Sequence, residues 1–293
     1  MVPHTKNTLA RFGLAPSKKR GQNFLVSPAT AQAIVSAAAF DATDRIVEVG
    51  VGLGALTLPL AGTVKEVIGI EIDRGLVRYH QENNTLPGNV ILVHEDILKT
   101  DFTTLQDGQG SRLKIITNLP YSISSPFIFR LIDHHELIDS VVMLLQKEVV
   151  DRLLAQPGSR AYGIPTVLLG SCAAVEKLMH IDASQFHPKP KVDSQLIRIV
   201  FNRHRLSDPT AAQLSATVRS AFAARRKTLL NNLLASTALL SHTSMDKTRR
   251  KELISSAIRA AGLTPETRAE MISIDTFEEL SRCLQRIVLA KNP

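Results

Sequence analysis

A strand that runs straight into a glycine-rich turn constrains this chain more than any other feature. Arg45-Ile46-Val47-Glu48-Val49 reads as a buried strand, and Gly50-Val51-Gly52-Leu53-Gly54-Ala55 as the turn into a helix starting near Ala55. Glycines let a backbone turn sharply and approach a ligand with no side chain between. Farther on, Glu66 to Ile70 forms a second strand closing on Glu71, whose carboxylate is placed to accept both hydroxyls of a ribose. Any adenosine cofactor satisfies that pairing, so a nicotinamide dinucleotide and S-adenosylmethionine both fit it.

The alternation continues. Asn89 to Val93 is a third strand leading to His94-Glu95-Asp96, and Leu113 to Ile116 a fourth. Strands separated by helices predict a mostly parallel, doubly wound α/β sheet with its ligands at the carboxyl ends. Asp96 is then a candidate acceptor for an adenine amine, or a helix cap; Asp73 reads as a cap and His94 as structural. The fourth strand stops at Thr117-Asn118-Leu119-Pro120-Tyr121. Asn118 offers an acceptor and a donor, Pro120 fixes the backbone, and Tyr121 presents a flat face with a polar edge. Those groups suit a planar base with an exocyclic amine. The same residues also spell an ordinary turn.

Upstream, Gly21-Gln22-Asn23-Phe24-Leu25 precedes Ser27-Pro28, a cap and first turn for a helix from Pro28 to Ala39. Downstream, strands are expected at Ser140 to Leu145, Thr166 to Ser171 and Gln195 to Phe201, with a mobile loop near the site at Gln156 to Gly163. Two prolines stiffen Gln185 to Ser194. Phe186 there suits stacking on a base, and Lys189 and Lys191 suit phosphates, while a ring packed in the core is the plain alternative. After Phe201, Asn202 to Pro209 reads as a linker and helices dominate from Thr210 onward. The expected organisation is a basic arm over 1–20, a cofactor-binding domain over 21–203 and an all-α domain over 204–293.

With 35 Lys+Arg against 27 Asp+Glu, the chain carries a formal +8, which favours an anionic partner. No apolar run approaches the ~20 residues of a membrane span, so nucleic acid is the expected partner rather than a bilayer. Arg225, Arg226 and Lys227 stand out in the helical region as phosphate contacts. Cys172 and Cys283 lack metal-ligand spacing and fit a reduced compartment. Lys6, Arg11, Lys18, Lys19 and Arg20 all precede the first acid, Asp41, which reads as a basic arm rather than a cleaved targeting segment.

Taken in order, Gly21 to Leu25, Glu48 to Gly54, Glu71, Asp96, Asn118 to Tyr121 and Phe186 to Ser194 resemble the motif series of ribosomal RNA adenine N6-dimethyltransferases. The resemblance spans about Lys18 to Leu234, including the basic stretch Ala223 to Lys227. Chain length, Ala161-Tyr162-Gly163 and the leucine of Asn118-Leu119-Pro120-Tyr121 favour the bacterial small-subunit branch over the large-subunit branch that confers macrolide resistance. Val51, Ser122 and Ile164-Pro165 depart from the usual pattern. The resemblance implies a class I methyltransferase Rossmann-like domain. It also implies S-adenosylmethionine as methyl donor, with no metal, and a cytoplasmic monomer acting on small-subunit ribosomal RNA in a pre-ribosomal particle. It makes Asn23 and Leu25 part of the cofactor pocket, has Gly50 contact the cofactor through its backbone beside Gly52, assigns Glu71 to the ribose and Asp96 to the adenine, and sets Asn118 between cofactor and target. The target adenine is then expected between Tyr121 and Phe186, with its N6 hydrogens on the Asn118 side-chain oxygen and the Leu119 carbonyl. The rivals are a nicotinamide-dependent oxidoreductase, a DNA adenine methyltransferase and a non-catalytic RNA-binding assembly protein.

Overall fold

The computed structural model describes residues 5–12, 14, 16, 21–108, 110–202, 211–236 and 246–289. Lys18 to Arg20 of the basic arm and most of the expected linker, 203–209, lie outside them. Among the described residues there are nine strands and eleven α-helices. They run α1 (Thr5–Arg11), β1 (Phe24–Leu25), α2 (Pro28–Ala38), β2 (Arg45–Val49), α3 (Thr57–Ala61), β3 (Glu66–Glu71), α4 (Arg74–Asn83), β4 (Val90–His94), β5 (Leu113–Thr117), α5 (Tyr121–Asp133), β6 (Ile138–Gln146), α6 (Lys147–Leu153), α7 (Ile164–Cys172), β7 (Ala173–Ile181), β8 (Phe186–His187) and β9 (Ser194–Phe201). Four more helices follow: α8 (Ala211–Ala221), α9 (Leu229–Ala235), α10 (Lys247–Ala260) and α11 (Ile274–Leu289).

Two compact units form, Met1–Val150 with Val175–Phe201, and Asp151–Ala174 with Asn202–Pro293. The sequence reading put Asp151–Ala174 in the cofactor-binding domain. Its side chains instead pack with the helices: the Tyr162 hydroxyl donates to the Ile272 carbonyl over 2.7 Å, and Gly158 N–H donates to Glu270. The expected mobile loop is thus tied down at a buried ring.

The main sheet has the order β4-β3-β2-β5-β6-β9-β7, parallel from β4 through β6 and antiparallel between β6 and β9. Its central strands are buried on both faces, so they read as near-continuous apolar runs. One face packs on α2 and α3 through Ile34, Ile46, Leu60, Val67 and Ile116. The Ser27 hydroxyl caps α2 by accepting from Thr30 N–H, and Pro28 opens it. The chain leaves β2 toward β3 and β4 on one side and returns to β5 on the other. The crevice of such a sheet opens where that order reverses, between β2 and β5.

The expected strand over Thr166 to Ser171 is wrong: those residues belong to α7. Pro165 sits in its first turn and Gly163 N–H donates to the Thr166 hydroxyl. Val167, Leu168, Leu169 and Cys172 are all buried, and a helix covered on every side leaves no 3.6-residue period to read.

In the helical unit, Phe222 lies 6.2 Å from Tyr162 and 5.8 Å from Phe277, ring centre to ring centre. Leu214, Val218, Ile258 and Leu280 are buried in the same unit.

Candidate active site

A cavity of about 640 Å³ opens at the carboxyl ends of β2, β3, β4 and β5. Asn23, Leu25, Gly50, Gly52, Glu71, Asp96 and Asn118 all line it, together with Leu119 and Pro120. Seven residues from five separated motifs therefore share one wall-to-wall space. Register explains how: β2 and β5 pair with Val49 opposite Thr117, and the Thr117 hydroxyl donates to the Val49 carbonyl over 3.0 Å. That bond holds the start of the Asn118 loop beside the start of the glycine turn.

Glu71 organises the turn. Its Oε2 accepts from Gly52 N–H at 2.9 Å and its Oε1 from Asp73 N–H at 2.8 Å. Burial pushes the carboxyl above the ordinary carboxylate range, and the Asp73 and Gly52 amides pull it back. A carboxylate has about four lone-pair sites, so room remains for two ribose hydroxyls. Gly50 and Gly52 have φ of +82° and +58°, which favour glycine. Asp73 accepts from Gly75 N–H and caps α4, as expected, while also lining the cavity. Asp96 both lines the cavity and accepts from Leu98 N–H, so its capping and binding readings coexist.

Asn118 is half-buried and Leu119 buried at the rim, followed by Pro120 as the cap of α5. Tyr121 opens that helix, and its hydroxyl pairs with the Ser194 hydroxyl at 2.7 Å. Neither Tyr121 nor Phe186 lines the cavity. Phe186 needs correction: it is 4% exposed, sits opposite Leu25 in the β1–β8 pair and packs in the core. The plain alternative is what the structure contains, because the two-strand pair turns the ring inward. Lys189 and Lys191 are exposed on the segment after it. Arg225, Arg226 and Lys227 are exposed too, but on the turn between α8 and α9 rather than within a helix. Asn232 secures that turn by donating to the Ala221 and Ala224 carbonyls.

Glu48, Ser194 and His80 carry contacts that the sequence reading did not assign. Glu48 is 1% exposed, lines the cavity, and its Oε2 has no hydrogen-bond partner among the described residues. Burial raises its pKa to about 8, helped by the charge of Glu71 and opposed by the Thr57 hydroxyl. A visible signal existed: a lone acid in an otherwise apolar strand, just before the glycine turn, is costly unless it serves a ligand.

Among the described residues the cavity walls contain five acids, Glu48, Glu71, Asp73, Glu95 and Asp96, and no basic side chain. Such a wall suits a cationic nucleoside. It opposes a dinucleotide, whose pyrophosphate needs free amides at the turn, because Gly52 N–H is already committed to Glu71. Among the described residues no group of three or more His, Cys, Asp or Glu is placed to hold a metal ion.

Fold and site together define a Rossmann-like class I methyltransferase domain. The match to the ribosomal RNA adenine dimethylase family extends over residues 15–274, and the chain belongs to that family. It is 46% identical over 283 residues to ribosomal RNA small subunit methyltransferase A of Desulfotalea psychrophila, covering 96% of each chain. It is 36% identical to the protein of the same name from Geobacillus thermodenitrificans, covering 96% of this chain and 94% of that one. Among solved structures, a dimethyladenosine transferase from Plasmodium falciparum superposes with a TM-score of 0.72 at 26% identity, covering 88% of this chain and 95% of that one. The 23S rRNA methyltransferase ErmE shares the fold with a TM-score of 0.63 at 20% identity, over 89% and 99% of the two chains.

Proposed function

We propose that this enzyme transfers methyl groups from S-adenosylmethionine to the N6 amines of two adjacent adenosines near the 3′ end of small-subunit ribosomal RNA. It acts as a monomer on a pre-ribosomal particle in the cytoplasm. The observation that carries the reading is the acid-lined cavity with Asn118 and Leu119 at its mouth. The bound cofactor supplies a methyl group on a cationic sulfur. Glu71 holds its ribose, Asp96 its adenine amine, and Gly50 and Gly52 allow close backbone approach, with Asn23 and Leu25 closing the pocket.

At the rim, the Asn118 side-chain oxygen and the Leu119 carbonyl accept from the target amine and turn its lone pair toward the cavity. The amine is weakly nucleophilic because its lone pair is delocalised into the ring. Acceptors that favour a pyramidal nitrogen therefore act mainly in the transition state, and alignment supplies the rest. Tyr121 gives the flipped base its aromatic face, steadied through Ser194. With Phe186 buried, base stacking rests on Tyr121 alone. Lys189, Lys191, Arg225, Arg226 and Lys227 contact phosphates.

The test offers labelled S-adenosylmethionine with unmethylated small and large subunits and maps the modified base. Label confined to the large subunit overturns the substrate. Asn118→Ala is expected to lose ~10²-fold or more in turnover while RNA still binds, and near-normal turnover sinks the role of its side chain.

A further inference from the structure

The glycine turn rests on a buried prop from α4. His80 is 3% exposed, its Nε2 lies 2.9 Å from the Gly52 carbonyl oxygen, and its Nδ1 meets the Thr85 hydroxyl. A carbonyl oxygen only accepts, so Nε2 carries the proton. Nδ1 is then bare and accepts from Thr85. Burial pushes the imidazole below its ordinary pKa, which favours the neutral ring. Gly52 is consequently gripped from both sides: its carbonyl by His80, and its amide by Glu71 Oε2.

We propose that His80 is a positioning residue for the cofactor, holding Gly52 by its carbonyl and, through the same residue's N–H, the Glu71 carboxylate. The inference rests on the reading of the cavity as the S-adenosylmethionine site. Gly52, in the left-handed region with a φ of +58°, is held at its carbonyl by His80; released there, the residue is free to shift about its backbone torsions, and its N–H no longer fixes one Glu71 oxygen. Thr85 belongs to the same device. Without its hydroxyl the buried Nδ1 is left unsatisfied, and the ring is no longer held from its far side against the Gly52 oxygen.

Calorimetric titration of S-adenosylmethionine into the full-length chain tests this with His80→Leu, His80→Gln and Thr85→Val. In His80→Leu the cofactor Kd is expected to rise about tenfold, the size of one buried hydrogen bond, while turnover at saturating cofactor and the KM for RNA hold. Glutamine can reach the same carbonyl with an N–H and is expected to restore most of the affinity. Thr85→Val, which leaves the ring in place, is expected to fall between. A cofactor Kd within twofold of wild type in His80→Leu overturns the inference. So does a loss shared equally by the RNA KM, which marks a merely structural residue. If His80→Leu does not fold, wild-type affinity in Thr85→Val overturns it instead. A wild-type chain that binds no S-adenosylmethionine overturns the cofactor reading and the inference with it.

Discussion

Glu48 is a carboxyl enclosed by the protein with one oxygen unanswered, and it ties stability to pH. Its pKa of about 8 in the folded chain compares with an ordinary 4.5, so between those values the native state holds a proton that the unfolded chain has lost. Stability from this group is complete below pH 4.5 and is lost as pH rises through about 8. Glu48→Gln removes the dependence. Thermal melts without cofactor should show the variant matching wild type near pH 4.5 and exceeding it increasingly toward pH 8; parallel curves across that range contradict the assignment. Gly69 shows the complementary case of a residue chosen for its absence of side chain. A Cβ there meets Val51 Cγ2 at 2.6 Å, so the valine that departs from the family pattern fits because a glycine in β3 makes room for it.

Among elements, α1 contributes most unexpectedly. Leu9 is buried against Phe24 and Leu76, with Leu14 and Leu53 around them, and Phe12 meets Tyr79 edge-on at 4.8 Å. Phe24 lines the cavity and its ring lies against Gly52. The described part of the basic arm is therefore built into the outer wall of the cofactor cavity. Leu9→Ala is expected to cost ~2 kcal/mol, the lower range for a buried leucine, and to weaken cofactor binding while turnover at saturating cofactor holds. Denaturant melts and cofactor titration read the two effects, and an unchanged cofactor Kd disproves the link. The pair β2 and β5 is the other decisive element, because parallel pairing at the point where strand order reverses places the glycine turn and Asn118 side by side.

For the whole molecule, the excess of basic over acidic residues is consistent with a phosphate-rich partner, yet the cavity itself is acidic. Acids line the cavity, and exposed cations sit at Lys189, Lys191 and the turn bearing Arg225, Arg226 and Lys227. Each phosphate contact to single-stranded RNA contributes ~0.7 to the slope of log K against log salt. Neutralising Arg225, Arg226 and Lys227 together should lower that slope by ~2, weaken RNA binding across sequences and leave cofactor affinity unchanged. Filter binding at several salt concentrations measures it; an unaltered slope places the RNA elsewhere.

The chain by itself determined its strand-turn periodicity, its glycine turn, the acid closing β3 and the amide ending β5, because each depends on neighbours a few residues away. The strand expected at Thr166 to Ser171 failed for the reason that a fully enveloped helix shows no period. Only the tertiary structure decided that Phe186 faces the core, that Tyr162 anchors its loop, that Gly69 accommodates Val51, and that Glu48, His80 and Ser194 meet the site. Those outcomes turn on which distant residues a strand register or helix face brings within 3 to 4 Å. Sequence separation carries no such information: His80 and Gly52 lie 28 residues apart and share one hydrogen bond.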